Sequence, residues 1–72
     1  METHGPPHEA LYDRELEVLR MMGMGKTMTQ IAETLVRSPK TISTYRTRIL
    51  VKMEMRTTGE LIRYAVENHL ID

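Results

Sequence analysis

The amino-acid sequence predicts an all-α fold, a bundle of four short helices. Apolar residues recur at helical spacing in four segments. Capping residues, proline or glycine mark the ends of each segment. No stretch alternates convincingly between apolar and polar residues, so we predict no sheet. At 72 residues the chain suffices for one domain with a small core. We expect this domain over residues 11–72, after a flexible lead-in or linker remnant over residues 1–10 that contains Gly5, Pro6 and Pro7.

The first helix is predicted over about residues 13–24, where leucine, valine and methionine residues form a broad apolar stripe. Leu11 and Leu16 are spaced to form a hydrophobic staple across its N-terminus. The carboxylate of Glu15 lies in the first turn, where it interacts favourably with the helix dipole. Gly25 is expected to cap the C-terminus.

The second helix is predicted over about residues 28–36. Thr27 and Gln30 have the spacing of a capping box, in which each side chain accepts a hydrogen bond from the other residue's backbone amide. Its inner face is expected to contain Ile31, Ala32 and Leu35.

The third and fourth helices are predicted over about residues 39–54 and 58–69. Ser38 and Pro39 indicate the start of the third helix, because serine accepts hydrogen bonds from free amides and proline has a helical φ. Thr57 and Glu60 form a second capping box. The inner face of the fourth helix is expected to contain Leu61, Ala65 and Leu70.

Charge is distributed unevenly along the chain, although the net charge is zero. Residues 37–56 contain six lysine and arginine residues and one glutamate, a net charge of +5, whereas both flanking segments are acidic. A phosphate backbone responds to the local potential, so this basic segment is compatible with a nucleic-acid partner. An ordinary solvated basic face remains the alternative explanation.

The third predicted helix has two different faces when its residues are placed at about 100° intervals. Ile42, Ile49 and Met53 lie together on one side as a core stripe. The opposite side carries small hydroxyl side chains and cations, which suit a helix that approaches a groove floor and phosphates. This outward set consists of Lys40, Thr44, Thr47 and Val51, with Ser43 and Arg48 on its flanks.

A capped helix, a turn of about four residues and a longer basic helix follow the order of a helix-turn-helix, so the bundle is predicted to contain one. Ordered blocks over about residues 11–71 resemble the LuxR/FixJ-type helix-turn-helix domain, the output domain of quorum-sensing regulators and of many response regulators. The matching blocks are Arg14-Glu15-Leu16-Glu17-Val18-Leu19, Gly25, Ile31-Ala32-Glu33 with Leu35, Ser38-Pro39-Lys40-Thr41-Ile42, Ile49-Leu50 with Lys52-Met53, and Glu60-Leu61-Ile62-Arg63-Tyr64-Ala65.

The resemblance implies sequence-specific binding of double-stranded DNA by the third helix in the major groove, in a bacterial transcription regulator. It implies base contacts by Ser43, Thr44, Thr47 and Arg48, and backbone contacts by Lys40, Tyr45 and Lys52. It also implies dimerisation through the fourth helix, whose second face carries Ile62, Val66 and His69. That face alternatively packs on an N-terminal regulatory domain, such as a receiver or sensor.

Three departures from the family pattern affect these expectations. Tyr12 stands where a capping serine or threonine is usual, so the cap is lost or passes to Asp13. Arg37 replaces an apolar turn residue, which loosens that corner or adds a phosphate contact. Ser43 and Val51 stand where lysine or arginine is frequent, which lowers the expected affinity for DNA.

Other functions have little support in the sequence. No catalytic constellation and no cysteine are present, so we expect no enzyme and no cofactor. His4 and His8 are separated by prolines that prevent a converging helix, so we expect no metal site. The chain lacks a membrane-length apolar run and a signal sequence, which predicts a cytoplasmic location. Two alternatives stay open: a promoter-binding domain like that of a sigma factor, which the fourth helix disfavours, and a protein-interaction module that has lost DNA binding.

Overall fold

Four α-helices form where the sequence places capping and stop signals. A computed structural model describes residues 7–71, which contain no strand. A 3-10 helix, Pro7–Ala10, precedes α1 (Asp13–Gly23), α2 (Met28–Leu35), α3 (Pro39–Met53) and α4 (Thr58–Glu67). The predicted all-α, four-helix class is confirmed, and each helix ends within two residues of its predicted limits.

Side-chain caps begin α2, α3 and α4. The hydroxyls of Thr27, Ser38 and Thr57 accept hydrogen bonds from backbone amides three residues later, at 3.1, 3.1 and 3.2 Å. Gln30 and Glu60 complete the two predicted capping boxes by accepting from the Thr27 and Thr57 amides, each at 2.9 Å. These bonds satisfy amides that a helix leaves free, and they fix where each helix starts.

The start of α1 is different, because its N-cap residue is Tyr12, whose side chain makes no capping hydrogen bond. The cap does not pass to Asp13, which is already the first helical residue. Instead, Glu15 Oε1 accepts a hydrogen bond from the Tyr12 backbone amide at 2.9 Å. Only the reciprocal half of a capping box therefore holds the N-terminus of α1.

All four helices end with the same backbone closure, in which an amide just beyond the helix bonds to a carbonyl five residues earlier. Gly25 adopts a positive φ of 88° after α1, as predicted for the cap. Val36, Glu54 and His69 take this left-handed conformation after α2, α3 and α4, with φ of 55°, 56° and 57°. The four bonds join Lys26 to Met21, Arg37 to Ala32, Met55 to Leu50 and Leu70 to Ala65, at 2.9–3.1 Å.

The left-handed conformation of His69 corrects the prediction that this residue lies in the last turn of α4. The helix stops at Glu67, and the His69 side chain is exposed beyond it. The closing hydrogen bond from the Leu70 amide to the Ala65 carbonyl, 2.9 Å long, ends the helix without a glycine.

The core lies where α1 packs against α3 and α4, and α2 closes it by packing against α3. Gly23 permits the close approach of α1 and α4, because a Cβ at this position would lie 2.8 Å from the Cβ of Ala65. Leu11 and Leu16, the predicted staple residues, both belong to the apolar cluster. The fully buried apolar side chains include Val18, Leu19, Ile31, Ile42, Ile49 and Leu61.

The segment directly before α1, Pro7–Ala10, forms a 3-10 helix that contacts α4. His8 Nδ1 and the Tyr64 hydroxyl share a hydrogen bond of 2.8 Å, and the two rings pack edge to face at 5.7 Å. This contact fastens the 3-10 helix to α4. The remainder of the predicted lead-in, residues 1–6, lies outside the described residues.

Candidate nucleic-acid interface

The two faces of α3 differ in burial as the helical projection predicts. Ile42 and Ile49 are completely buried and Met53 is 5% exposed. On the opposite side, Thr44, Thr47 and Val51 are exposed. The buried side fixes the orientation of the helix on the core, so the exposed side is presented to solvent in a defined direction.

The structure brings five of the seven predicted DNA-binding residues together on the exposed side of α3 and its flanks. These are Lys40, Ser43, Thr44, Thr47 and Arg48, all of which are exposed. Tyr45 is partly buried and packs against the core cluster. Lys52 is also partly buried, because its side chain pairs with Glu15.

Two threonine hydroxyls on the exposed side form hydrogen bonds to backbone carbonyls of α3. Thr44 Oγ1 donates to the Lys40 carbonyl and Thr47 Oγ1 donates to the Ser43 carbonyl, both at 3.1 Å. Each hydroxyl has one hydrogen, so this bond uses its donor and leaves its lone pairs available.

Exposed cations surround this surface. Among residues 7–71, ion pairs involve only Arg14, Lys52 and Arg63 as cations. Four exposed cations of the basic segment therefore form no ion pair within these described residues: Arg37, Lys40, Arg48 and Arg56. Unpaired cations on one helix and its flanking turns give a positive local potential in a domain with no net charge.

Lys52 is bound within the domain by groups from the start of α1. Its Nζ lies 2.7 Å from Glu15 Oε1, and the same Nζ lies 3.6 Å from the centre of the Tyr12 ring. The Glu15 side chain is only 1% exposed and that of Lys52 is 27% exposed. The ammonium group thus forms a largely buried ion pair and a cation–π contact that join α3 to α1.

The pKa of the Glu15 carboxyl is lowered from the ordinary glutamate value of 4.5. Burial opposes this change, because it disfavours the charged form. Hydrogen bonds from Lys52 and from the Tyr12 backbone, with the charges of Lys52 and Arg48, outweigh burial. Glu15 is therefore an anion at neutral pH, and Lys52 is its counter-ion.

Sequence reasoning missed the Glu15–Lys52 pair and a second contact that positions α3. Arg46 Nη1 donates to Thr58 Oγ1 at 3.4 Å, between α3 and the first turn of α4. The motif spacing carries no signal for either contact, because the partners lie on different helices. Glu15 is interpreted from sequence only as a first-turn carboxylate.

The comparisons with known proteins identify the family. Residues 9–65 match the family model described as bacterial regulatory proteins, luxR family. The chain belongs to the luxR family. In the helix-turn-helix of this luxR-family domain, α2 precedes α3 and the turn between them contains the left-handed Val36.

Curated relatives of the luxR-family domain are longer proteins. The transcriptional regulatory protein LiaR of Bacillus subtilis is 41% identical over 66 residues, which cover 92% of this chain and 31% of LiaR. The oxygen regulatory protein NreC of Staphylococcus haemolyticus is 36% identical over 66 residues, covering 92% and 30%. The response regulator GacA of Pseudomonas aeruginosa is 32% identical over 71 residues, covering 99% and 33%. The chain spans about a third of the length of these relatives.

The residues predicted for a dimer interface have unequal exposure on the luxR-family domain. Val66 is 52% exposed on α4, and His69 is exposed just beyond the helix. Ile62 is partly buried, because it packs against the domain's own core cluster. The apolar surface offered by α4 is therefore centred on Val66.

Two further properties of the described part of the luxR-family domain bear on its chemistry. None of the helices within residues 7–71 is long and apolar enough to cross a membrane. Over the same residues, no group of three or more histidine or acidic side chains is arranged to hold a metal ion. His4 lies outside these residues, and His8 is bonded to Tyr64.

Proposed function

We propose that this domain binds duplex DNA sequence-specifically, with α3 in the major groove, as the output domain of a bacterial transcription regulator. The observation that carries the proposal is the exposed side of α3. It combines short hydroxyl side chains with cations that form no ion pair in the described part of the chain, and it lies opposite a buried inner face. Short side chains allow a helix to approach base edges, and cations attract phosphates. Membership of a family of bacterial regulatory proteins supports it.

The exposure of each side chain suggests its role in the complex. Ser43, Thr44, Thr47 and Arg48 are proposed to contact base edges, because they lie along the exposed side of α3. Lys40, in the first turn, is proposed to contact a phosphate. Tyr45 packs its ring against the core, and its hydroxyl is proposed to contact the DNA backbone. This combination fits the amphipathic character of tyrosine.

The ammonium group of Lys52 is less available for a phosphate contact than that of Lys40. Its ammonium group is already 2.7 Å from a buried carboxylate, which would be left without its counter-ion if the lysine moved away. We therefore propose that Lys52 contributes to binding mainly by holding α3 on α1, and that any phosphate contact it makes is made while it remains paired.

The proposal extends to the longer protein in which such a domain functions. The relatives include a response regulator about three times as long as the matched segment, so a regulatory domain on the N-terminal side is proposed. Dimerisation through Val66, His69 and Ile62 would place two copies of α3 on half-sites about one helical turn apart. No enzymatic activity is proposed for the domain.

The competing proposal is a protein-interaction module that has kept this fold and lost DNA binding. It is favoured by the zero net charge and by the absence of a cation at Ser43 and Val51. The sigma-like alternative has less support, because the chain matches the luxR family over residues 9–65 and has a fourth helix.

Fluorescence anisotropy of a labelled mixed-sequence duplex, titrated with the domain at low and moderate salt, tests the proposal. Binding is expected at low salt and should weaken steeply with salt, with about four to six phosphate contacts per monomer setting the slope. Arg48→Glu should abolish this binding, because it puts a negative charge on the DNA-facing side.

Arg63→Glu is the matched control, since it reverses the charge of an exposed arginine on α4 and should leave binding nearly unchanged. Circular dichroism checks that both variants are folded. No binding by the native domain at low salt, or equal losses in the two variants, would contradict the proposal and favour the interaction module.

A further inference from the structure

We infer that the central exposed strip of α3 recognises thymine methyl groups, so that the preferred half-site has A·T pairs beneath Thr44, Thr47 and Val51. This inference rests on the proposed function, because it names the base chemistry that the same surface selects. It follows from the methyl groups that this strip exposes, together with hydrogen bonds that leave the strip without a free donor.

The three residues form one continuous strip. Thr44, Thr47 and Val51 are separated by three and four positions, so their side chains lie within about 60° of one another around the helix axis. All three are exposed, Val51 to 70%. The strip is therefore the part of α3 that reaches furthest from the core.

The chemistry of the strip is unusually uniform. The single hydroxyl hydrogens of Thr44 and Thr47 are donated to the carbonyls of Lys40 and Ser43, at 3.1 Å each. Val51 has no polar side-chain atom. The strip consequently presents methyl groups and hydroxyl lone pairs, with no side-chain donor directed outward.

These side chains are also rigid. Threonine and valine are branched at Cβ and have few allowed χ1 rotamers in a helix. Rotating a threonine hydroxyl outward to donate to a base breaks its bond to the helix carbonyl, so exchanging one hydrogen bond for the other adds little to the affinity. The existing arrangement is thus a fixed pattern of methyl groups and acceptors.

Base edges in the major groove match such a pattern to different degrees. Guanine presents only acceptors, N7 and O6, which require donors from the protein. Thymine presents a methyl group, and adenine presents its N6 amino group. Cytosine also presents an amino group, N4, so an amino group alone does not distinguish an A·T pair from a G·C pair. The thymine methyl group does, because it gives the apolar part of the strip a contact that a G·C pair lacks.

Donors lie beside the strip instead of within it. Arg48 is exposed on one flank with its guanidinium free of acidic partners among residues 7–71. Ser43 is exposed on the other flank, and its hydroxyl has no hydrogen bond to the described part of the chain. Guanine contacts are accordingly expected only at positions next to the central A·T pairs.

The test begins with repeated selection of the preferred site from a random duplex library. Each thymine of the selected half-site is then replaced by deoxyuridine, which removes the C5-methyl group and keeps the base pairing. The dissociation constant of each duplex is measured by fluorescence anisotropy at fixed salt. At two or more central thymines, we expect affinity to fall about four-fold, which corresponds to the burial of one methyl group.

Protein variants assign each methyl contact. Thr47→Ser and Val51→Ala remove methyl groups and leave the backbone unchanged. Each should weaken binding to the thymine duplex about as much as the deoxyuridine replacement does. Neither should weaken binding further when the contacted base is already deoxyuridine, because the two changes remove the same contact.

Thr34→Ser is the matched control, because Thr34 on α2 is also exposed and also donates its hydroxyl hydrogen to the helix, to Gln30 at 2.9 Å. Its effect on affinity should be the same for both duplexes. If the domain binds its selected duplex but no deoxyuridine changes the affinity, or if central G·C pairs are selected, the inference is overturned and the proposed function stands. If no duplex is bound at all, both are overturned.

Discussion

Lys40 and Lys52 stand at opposite ends of α3 and have opposite environments. Lys40, in the first turn, is exposed and has no acidic partner among residues 7–71. Lys52, in the last turn, is paired at 2.7 Å with a carboxylate that is 1% exposed. One end of the helix thus offers its positive charge to solvent, and the other end uses that charge to attach the helix to α1. We therefore expect separable roles for these identical residues, with Lys40 acting in DNA binding and Lys52 in stability.

The largest expected effect comes from removing the paired ammonium group. Lys52→Met should lower the free energy of unfolding by about 3 kcal/mol, because Glu15 is left buried without a counter-ion. Urea unfolding followed by circular dichroism measures this change. Lys40→Met is the control and should change stability by less than about 0.5 kcal/mol, as is usual for an exposed position. Equal effects at the two ends would show that the pair contributes no more than surface charge.

An intermediate effect is expected on the salt dependence of DNA binding. Lys40→Met should reduce the slope of log affinity against log salt by about 0.9, the loss of one phosphate contact. The double variant Glu15→Gln, Lys52→Met removes both partners of the ion pair together and should retain the native slope. Anisotropy titrations at several salt concentrations compare the two proteins, at a temperature where both are folded. A reduced slope in the double variant would assign a phosphate contact to Lys52.

The smallest expected effect is on the free energy of unfolding and comes from the turns before and after α3. Val36, before the helix, and Glu54, after it, both adopt a left-handed backbone that disfavours residues with a Cβ. Val36→Gly should raise the free energy of unfolding by about 1 kcal/mol, because the valine is β-branched and 87% exposed, so little packing is lost. Glu54→Gly should stabilise by about half as much, since glutamate is not β-branched.

Val51→Gly provides the control for the turn variants, because it makes the same change inside α3 at a site that is also largely exposed. It should destabilise by about 1 kcal/mol, the cost of glycine within a helix. Thermal and urea unfolding measure whether each variant raises or lowers the free energy of unfolding. A destabilising Val36→Gly would contradict the assignment of strain to the turn.

The helices were predictable from sequence because their determinants are local. Thr27 with Gln30, and Ser38 with Pro39, act within a few residues of the helix ends that they specify, so their spacing alone places α2 and α3. The two faces of α3 follow equally directly from helical periodicity. The set of exposed residues on α3 was predictable for the same reason.

The contacts between helices were not predictable in this way. Glu15 and Lys52 are 37 positions apart, and His8 and Tyr64 are 56 apart, so no local pattern joins them. The predicted end of α4 also lies beyond the observed end at Glu67. His69 adopts the left-handed conformation, which glycine or asparagine usually adopts at the end of a helix. The backbone hydrogen bond from the Leu70 amide to the Ala65 carbonyl closes this helix, and no residue type typical of such an end marks it in the sequence.

The close approach of Gly23 to Ala65 restricts how the sequence of this domain can diverge. A Cβ at position 23 would lie 2.8 Å from that of Ala65, so the two positions share room for one methyl group. Interiors are packed too tightly to absorb a second methyl without moving a helix. Alanine at position 23 is then compatible with glycine at position 65, but not with alanine. We therefore expect substitutions at the two sites to depend on each other, so that their combined volume stays constant.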